Sequence, residues 1–212
     1  MTTYHDITAR GRRVRVLQLG KFYPPQRGGM ESHVETLCER LRQDVDLEVM
    51  VSNIGPRTVR EIRSGIPVTR IARLAQINST SVNPAMVAAI RRSDAELIHL
   101  HWPNPMAALA YLMSGQTGTL VVSYHSDVVK QRISRQLFEP VLRTLLRRAK
   151  AIIVSSDAYL ETSPVLPLYR DRCHVIPFGI SESNFALPDE IAVRDIRSRY
   201  GERIILSVGR LV

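Results

Sequence analysis

The stretch Val14–Leu41 reads VRVLQLGKFYPPQRGGMESHVETLCERL. Its opening run, Val14–Leu19, is short and apolar, which is typical of a buried strand, and the run ends at Gly20. Apolar residues then recur at helical spacing over Glu31–Gln43, which predicts a helix with one apolar face. A buried strand, a loop and an amphipathic helix in this order favour an α/β fold.

The alternation of strands and helices continues along the chain. Short apolar runs predict further strands at Leu47–Ser52, Val68–Ala72, Leu97–His101, Leu120–His125 and Ala151–Ser155. Helical patterns are predicted between them at Pro84–Arg92, Pro105–Ser114 and Gln131–Arg148. Strands separated by helices pair in parallel and need cover on both faces. The sequence therefore predicts a doubly wound, Rossmann-like parallel sheet.

The last part of the chain departs from this alternation. Residues 177–188 are rich in Pro, Gly and Ser and predict a linker, which a helix at Ile191–Tyr200 and a strand at Arg203–Val208 follow. We expect a basic tail, a Rossmann-like domain, a linker, and the first strand of a second, truncated domain. These four parts are residues 1–13, 14–176, 177–202 and 203–212.

Composition excludes several classes of protein. The 212 residues are 44% hydrophobic and 23% charged, which is enough to bury a core. No apolar run reaches the ~20 residues of a membrane-spanning helix, and the N-terminus does not resemble a signal peptide. The two cysteines form no C-x-x-C pair, so we expect a cytoplasmic protein without a disulfide framework.

The net charge of +9 is unevenly distributed. Basic residues exceed acidic ones in residues 1–15 and 130–150, whereas the rest of the chain is close to neutral. This pattern lacks the recognition helix or stacking aromatics of a nucleic-acid surface, so we expect no nucleic-acid partner. Segment 130–150 is also amphipathic. It is either a helix pair, divided at Pro140, that covers the sheet, or a basic surface that sits on an anionic membrane.

Glycines precede the first helix, at the carboxyl end of a strand, where doubly wound sheets bind their ligands. Gly28 and Gly29 allow backbone to approach a ligand, and the helix start behind them attracts phosphate. A flexible turn is the alternative interpretation. The G-x-G-x-x-G fingerprint is absent, which argues against a dinucleotide-dependent enzyme.

Histidines mark the ends of two later strands. His99 and His101 alternate onto the same face of one strand, and His125 ends the next. For His99 and His101 two interpretations are open: a metal site, or a contact with the core or with an acceptor. Further metal ligands are scarce in the sequence, which counts against the metal site. A Ser-His-Asp triad is disfavoured, since His125 is directly adjacent to Ser126 and no G-x-S-x-G elbow exists. A hydrogen-bonding or charge-stabilising role for His125 is favoured.

In combination, the motifs resemble those of family-four glycosyltransferases of the GT-B fold. They are P-x-x-G-G-M-E-x-H, H-x-H-W-P-N-P, Y-H-S-D, A-I-I-V-S-S, V-I-P-F-G-I and I-L-S-V-G-R-L-V, within Val14–Val212. The chain looks most like members that add mannose or rhamnose in bacterial polysaccharide assembly. The resemblance implies two Rossmann-like domains across a cleft, with the acceptor mainly on the first and the nucleotide sugar mainly on the second. It also implies transfer with retention of anomeric configuration and no obligatory metal or other cofactor.

The resemblance also implies roles for individual residues. Gly28 and Gly29 match the glycine loop near the donor diphosphate and the acceptor, and His125 matches the histidine beside the donor sugar. Arg210 matches the arginine that grips the diphosphate and stabilises the leaving group. Candidates on the acceptor side are Glu31, His33, His101, Trp102 and Asp127. The lysine and paired glutamates that follow in the family are absent, so we expect this fragment to be inactive alone.

Two functions of different classes follow. The first is the N-terminal part of a retaining glycosyltransferase that uses a nucleotide sugar and a glycan or lipid-linked acceptor, in bacterial polysaccharide or glycolipid biosynthesis. The alternative is a stand-alone, non-catalytic module that binds an acceptor or docks on a membrane. Either would be cytoplasmic, and segment 130–150 would place it peripherally on the inner face of the cell membrane.

Overall fold

The computed structural model describes residues 12–77, 80–127, 132–179 and 189–207. The chain divides into a large unit, Met1–Phe178, and a small unit, Gly179–Val212. The strands of the described residues are β1 Arg15–Leu19, β2 Asp46–Ser52, β3 Val59–Arg63, β4 Ile66–Ile71, β5 Ala75–Ile77, β6 Thr80–Val82, β7 Leu97–Trp102, β8 Thr119–Tyr124, β9 Ala151–Val154 and β10 Cys173–Val175. The helices are α1 Gly29–Leu41, α2 Ala85–Arg92, α3 Pro105–Ser114, α4 Arg132–Arg148, α5 Asp157–Thr162, a 3₁₀ helix at Leu166–Arg172, and α6 Glu190–Tyr200.

Eight strands form one sheet in the order β10-β9-β8-β7-β1-β2-β4-β3. All neighbouring pairs are parallel except β3 and β4, which form an antiparallel hairpin at the edge. The hairpin turns at Ser64 and Gly65, whose φ angles of 50° and 76° suit a tight two-residue turn. The predicted doubly wound parallel sheet is thus confirmed, with one antiparallel edge that the sequence analysis missed.

The alternation of side chains along each strand builds a core on both faces of the sheet. Val16 of β1 packs in a cluster with Val34 and Cys38 of α1. Leu17 and Leu19 of the same strand pack in a second cluster on the opposite face, among residues of α2, α3, α4 and α5. Because successive strand residues point to opposite faces, the apolar runs of the central strands fill both layers at once.

Helix α3 begins and ends where the sequence predicts. The Asn104 side chain accepts a hydrogen bond from the Ala107 N–H at 3.3 Å, and Gly115 closes the helix with a φ of 72°. The same Asn104 amide donates to the Gly20 carbonyl at 2.9 Å. The start of α3 is therefore tied to the loop that follows β1.

Pro140 does not divide the basic segment, so that prediction is wrong. Helix α4 runs without a break through Pro140, which is exposed. A proline here removes one hydrogen bond near solvent, whereas Leu142, Leu145 and Leu146 of the same helix are buried in the core. Burial of that apolar face outweighs the lost hydrogen bond, and the helix persists.

The small unit contains α6, close to its predicted bounds. Asp189 caps the helix by accepting hydrogen bonds from the N–H groups of Ile191 and Ala192 at 2.9 and 3.3 Å. The predicted strand at Arg203–Val208 is absent over its described part, residues 203–207. A strand needs a neighbour to pair its backbone groups, and the described part of this unit supplies none. None of the described helices has both the length and the apolar character needed to cross a bilayer.

Candidate functional site

A buried polar row lies at the carboxyl ends of the central strands, on the face of the sheet that α1 covers. Gln18 of β1 lies beside His99 of β7 in the strand register, and His101 lies beside Ser123 of β8. All four side chains are buried. Their neighbours along the strands pack in the core of the opposite face. The prediction that His99 and His101 share a face near the ligand-binding edge is confirmed.

A chain of two hydrogen bonds leads from Gln18 through His101 to His125. His101 Nε2 lies 2.9 Å from Gln18 Oε1, and His101 Nδ1 lies 3.0 Å from His125 Nε2. An amide oxygen only accepts, so His101 carries its proton on Nε2 and its Nδ1 is an acceptor. His125 must then donate from Nε2, which leaves Nδ1 as the acceptor of its ring. The chain Gln18–His101–His125 thus sets the tautomer of both histidines.

Gln18 is a fully buried polar side chain in an otherwise apolar strand. Its Oε1 is the hydrogen-bond partner of His101 Nε2. A polar group at such a position needs a specific partner, and here that partner is the histidine whose ring it orients.

His33 and Phe178 complete the aromatic surroundings of the pair. The His33 ring of α1 has its centroid 5.2 Å from that of His125 and 6.1 Å from that of His101. The Phe178 ring lies 4.6 Å from His33 and 5.5 Å from His125. Four of the six histidines in the sequence therefore meet at this edge, with the tilted ring of His99 centred 4.4 Å from that of His101.

Burial keeps these histidines neutral at pH 7. Desolvation lowers the pKa of His99 to about 3 and that of His125 to about 4. It also lowers the pKa of His33, and it holds that of His101 well below its usual range. The site therefore offers neutral imidazoles, which act as hydrogen-bond partners or metal ligands, and no fixed positive charge.

The predicted glycine loop lies at the start of α1, the helix that carries His33. Gly28 precedes α1, Gly29 is its first residue, and both are exposed. No side chain caps this helix end, and the half-buried Glu31 folds its carboxylate over Gly28, where a Cβ would collide with it. The first N–H groups of α1 are arranged as a helix start that can bind an anion.

A buried arginine holds the same loop in place. Arg70 of β4 donates to the Tyr23 carbonyl at 3.0 Å and also to the Pro24 carbonyl. Its guanidinium is paired with Glu61 at 2.6 Å. The sequence analysis missed this anchor, because nothing in the spacing of Arg70 distinguishes it from the exposed arginines.

Asp127 and Trp102 lie apart from the histidine contacts. The Asp127 carboxylate accepts hydrogen bonds from Tyr124 at 2.8 Å and from Tyr159 and Ser163 at 3.1 Å each. The Tyr159 and Ser163 hydroxyls thereby connect the segment after β8 to α5 and to the residue that follows α5. Trp102 is 1% exposed and packs in the core of the opposite face. Of the predicted site residues, the structure brings together His33, His101 and His125, and Arg210 lies outside the described residues.

The sequence carried a weak signal for the residues that were missed. Gln18 and Ser123 are polar residues within otherwise apolar strands, VRVLQL and LVVSYH. A polar residue in a buried strand must find a partner, and these two find His101 and His99. Phe178 lies in the V-I-P-F-G-I motif, which the sequence analysis treated only as the entrance to a linker.

Taken together, the candidate site lies beyond the carboxyl ends of the strands of a doubly wound α/β sheet, the edge at which sheets of this class bind ligands. Residues 27–184 match the model of Glycosyltransferase Family 4. The chain belongs to this family, as the motifs predicted.

Two curated relatives refine the comparison. The chain is 28% identical over 200 residues to the D-rhamnosyltransferase WbpZ of Pseudomonas aeruginosa. It is 30% identical over 203 residues to the O-antigen chain mannosyltransferase C of Escherichia coli. Each comparison covers 92% of this chain but only 52% and 54% of the relatives, so the chain spans about half of their length.

Solved structures of GT-B glycosyltransferases share the fold. Sucrose-phosphate synthase from Thermosynechococcus elongatus superposes with a TM-score of 0.60 at 18% identity, over 88% of this chain and 52% of that one. Anabaena HepE, solved in complex with UDP, gives a TM-score of 0.59 at 17% identity, over 89% of this chain and 50% of that one. The predicted fold class, the first domain of a GT-B fold, is confirmed.

The hydrogen-bond chain makes a prediction about tautomers. Long-range ¹H–¹⁵N correlation spectra should show His101 and His125 protonated at Nε2, because Gln18 Oε1 can only accept. A Gln18→Met variant should convert both rings to mixtures of tautomers, while the exposed residue His174 serves as an unaffected reference in the same spectra. Single Nε2–H tautomers that persist in Gln18→Met would contradict the assigned chain.

The depressed pKa values predict acid sensitivity. His99 and His125 have pKa values of about 3 and about 4 in the folded protein, against about 6.5 when unfolded. Between the folded and the unfolded pKa values, the unfolded chain binds more protons than the folded chain. The free energy of unfolding therefore has its full value above about pH 6.5 and falls as the pH drops. Each histidine contributes up to about 1.4 kcal/mol per pH unit. Urea unfolding at pH 7 and pH 5, followed by the fluorescence of Trp102, the single tryptophan, measures this loss.

Matched variants separate the histidines from other titrating groups. His99→Gln should reduce the loss of stability between pH 7 and pH 5, whereas the exposed control His174→Gln should retain it. An unfolding free energy that is the same at pH 7 and pH 5 would show that the buried histidines do not govern the acid response.

Proposed function

We propose that this chain is the acceptor-side part of a retaining glycosyltransferase. The enzyme transfers a hexose from a nucleotide sugar to a glycan or lipid-linked acceptor, in bacterial polysaccharide or glycolipid biosynthesis. The observation that carries the proposal is the contact between the motif histidines His101 and His125 at the edge where such sheets bind ligands. Membership of Glycosyltransferase Family 4 supports sugar transfer as the reaction.

In this proposal His125 acts as a neutral hydrogen-bond acceptor. Its Nε2–H is committed to His101, so Nδ1 is the atom that can accept from a hydroxyl of the donor sugar. A low pKa suits this role, because a protonated ring could not accept. His125 would therefore orient the donor sugar rather than supply a proton to the leaving group.

The start of α1 would bind the donor diphosphate. N–H groups behind Gly28 and Gly29 that no side chain caps, together with the helix dipole, favour a negative charge there, and the Glu31 carboxylate that lies over Gly28 would have to turn aside. Arg210 is proposed to grip the same diphosphate from the second domain and to stabilise the charge that develops as it leaves. Retention is expected when the acceptor attacks on the face from which the diphosphate departs, and a glycine loop beside both groups suits that geometry. Such a reaction needs no metal.

The relatives support the finer part of the proposal. One is named as a D-rhamnosyltransferase and the other as an O-antigen chain mannosyltransferase. A mannose-type or 6-deoxyhexose donor and a polysaccharide product are therefore proposed for the enzyme to which this chain contributes. The part of the chain that the structure describes holds only the first Rossmann-like unit, so most donor contacts would come from elsewhere in that enzyme.

Removal of the His125 ring tests the proposed site. In the full-length enzyme, His125→Ala should lower kcat by about 10²–10³-fold, the usual effect of losing one polar group that acts at a reaction centre. Sugar transfer from the nucleotide donor would be measured by product formation, with His174→Ala, at an exposed residue of β10, as the matched control. Unchanged transfer by a folded His125→Ala variant would remove this residue from the site.

A membrane contact through α4 is a separate part of the proposal. From Val141 onwards, the apolar side chains of the helix pack in or against the core, as expected for a helix that covers the sheet. Arg143, Arg147, Arg148 and the following Lys150 are exposed. This leaves a basic face that can meet acidic phospholipid headgroups by electrostatic attraction alone. Such a contact would suit an acceptor carried on a lipid.

Liposome flotation tests the membrane contact. The chain should float with vesicles that contain acidic phospholipid and remain behind with neutral vesicles. The double variant Arg147→Gln/Arg148→Gln should bind about 30-fold more weakly, because each basic residue contributes ~1 kcal/mol at an anionic surface. Arg197→Gln/Arg199→Gln in α6 is the charge-matched control. Equal recovery with acidic and neutral vesicles would refute the contact.

A further inference from the structure

Three histidines from three different elements face one another at the edge of the sheet. They are His33 of α1, His101 of β7 and His125, which follows β8. One ring nitrogen of each lies within 4.8 Å of the other two. Ligand nitrogens of a tetrahedral zinc ion, at bonds of about 2.05 Å, lie about 3.3 Å apart. The largest separation therefore has to shrink by only about 1.5 Å.

The His101–His125 pair already has close to the spacing of two ligands. Their nitrogens lie 3.0 Å apart, so an ion could replace the hydrogen that they share after a small opening. His33 is half-buried on α1, with its ring over the pair, and it can approach by rotation of its side chain. The geometry therefore needs side-chain movement but no change in the sheet.

An outer hydrogen bond prepares His101 as a ligand. Metal-bound histidines usually donate their second N–H to a fixed acceptor, which sets the tautomer and the orientation of the ring. Gln18 Oε1 plays that part for His101, at 2.9 Å from Nε2 in the buried interior. It directs the Nδ1 lone pair of His101 towards His125 before any ion arrives.

We propose that His33, His101 and His125 form a binding site for a divalent transition-metal ion such as Zn²⁺. Three imidazole nitrogens select zinc, nickel or copper over magnesium or calcium, which prefer oxygen ligands. Three protein ligands leave the fourth tetrahedral position open for water. His33 and His125 are only half-buried, so the ion can enter from solvent.

Binding of the ion moves one proton within His125 and releases none. The Nε2 proton that His125 shares with His101 leaves, Nδ1 of the same ring takes up a proton, and Nε2 then binds the ion. The inference goes beyond the proposed function and does not depend on it, because metal binding is measured without any sugar. Its consequence for catalysis does rest on the proposed function: a metal-bound His125 could no longer accept from the donor sugar, and the ion would inhibit transfer.

Direct metal binding to the tag-free 212-residue chain tests the site. Competition with a chromophoric chelator measures Zn²⁺ affinity, and the visible absorption of bound Co²⁺ reports four-coordinate geometry. The chain should bind one ion. His33→Ala, His33→Asn and His125→Asn should each weaken binding more than tenfold, and Gln18→Met should weaken it by about 10–100-fold. The fluorescence of the buried Trp102 confirms that each variant is folded.

Control variants distinguish this site from adventitious ligands. His174→Ala and His174→Gln alter an exposed histidine outside the cluster and should leave the affinity unchanged, and excess Mg²⁺ should not displace Zn²⁺. The proposal is overturned if folded His33 and His125 variants bind as tightly as the original chain. It is equally overturned if the control variants lose the ion or if one-to-one binding is not observed. A loss of sugar transfer in His125→Ala without metal binding by the chain would refute this inference and leave the proposed function intact.

Discussion

The buried hydrogen bond between Gln18 and His101 determines the chemistry of the whole edge. It joins an amide oxygen to an imidazole nitrogen at 2.9 Å, where neither group reaches water. Because the oxygen can only accept, the direction of every proton in the chain to His125 follows from it. Loss of this bond would leave two buried polar groups unpaired and would free both rings to change tautomer.

The surrounding fold keeps that bond dry and in register. Parallel pairing places β1 between β7 and β2, so that Gln18 and His99 lie side by side, and α1 covers the same face. Three loops at this edge are fastened by polar groups that do not face the histidines. Asn104 connects the loops after β1 and β7, and the Asp127 carboxylate, which follows β8, accepts hydrogen bonds from three hydroxyls. These residues stabilise the frame, whereas His33, His101 and His125 form the candidate site, with His101 buried behind the two half-buried rings.

Periodicity and cap residues predicted most of the central sheet and α3, because buried strands and helix ends depend on local sequence. The exposed strand β3 was missed since it has no buried apolar run, and the break at Pro140 was predicted wrongly because tertiary burial outweighed local propensity. Motif positions predicted that His101 and His125 belong to one edge. Their direct contact depends on the register between β7 and β8. The contact of Gln18 with His101 depends on the register between β1 and β7, which brings together residues 83 positions apart.

We propose that the Gln18–His101–His125 chain presents His125 Nδ1 to the donor sugar. A crystal structure of the full-length enzyme with an unreactive nucleotide-sugar analogue tests it most directly. We expect a sugar hydroxyl within hydrogen-bond distance of His125 Nδ1, with the bonds from His125 to His101 and from His101 to Gln18 intact. A donor sugar bound away from His125, or a His125 ring turned so that Nδ1 faces His101, would contradict it.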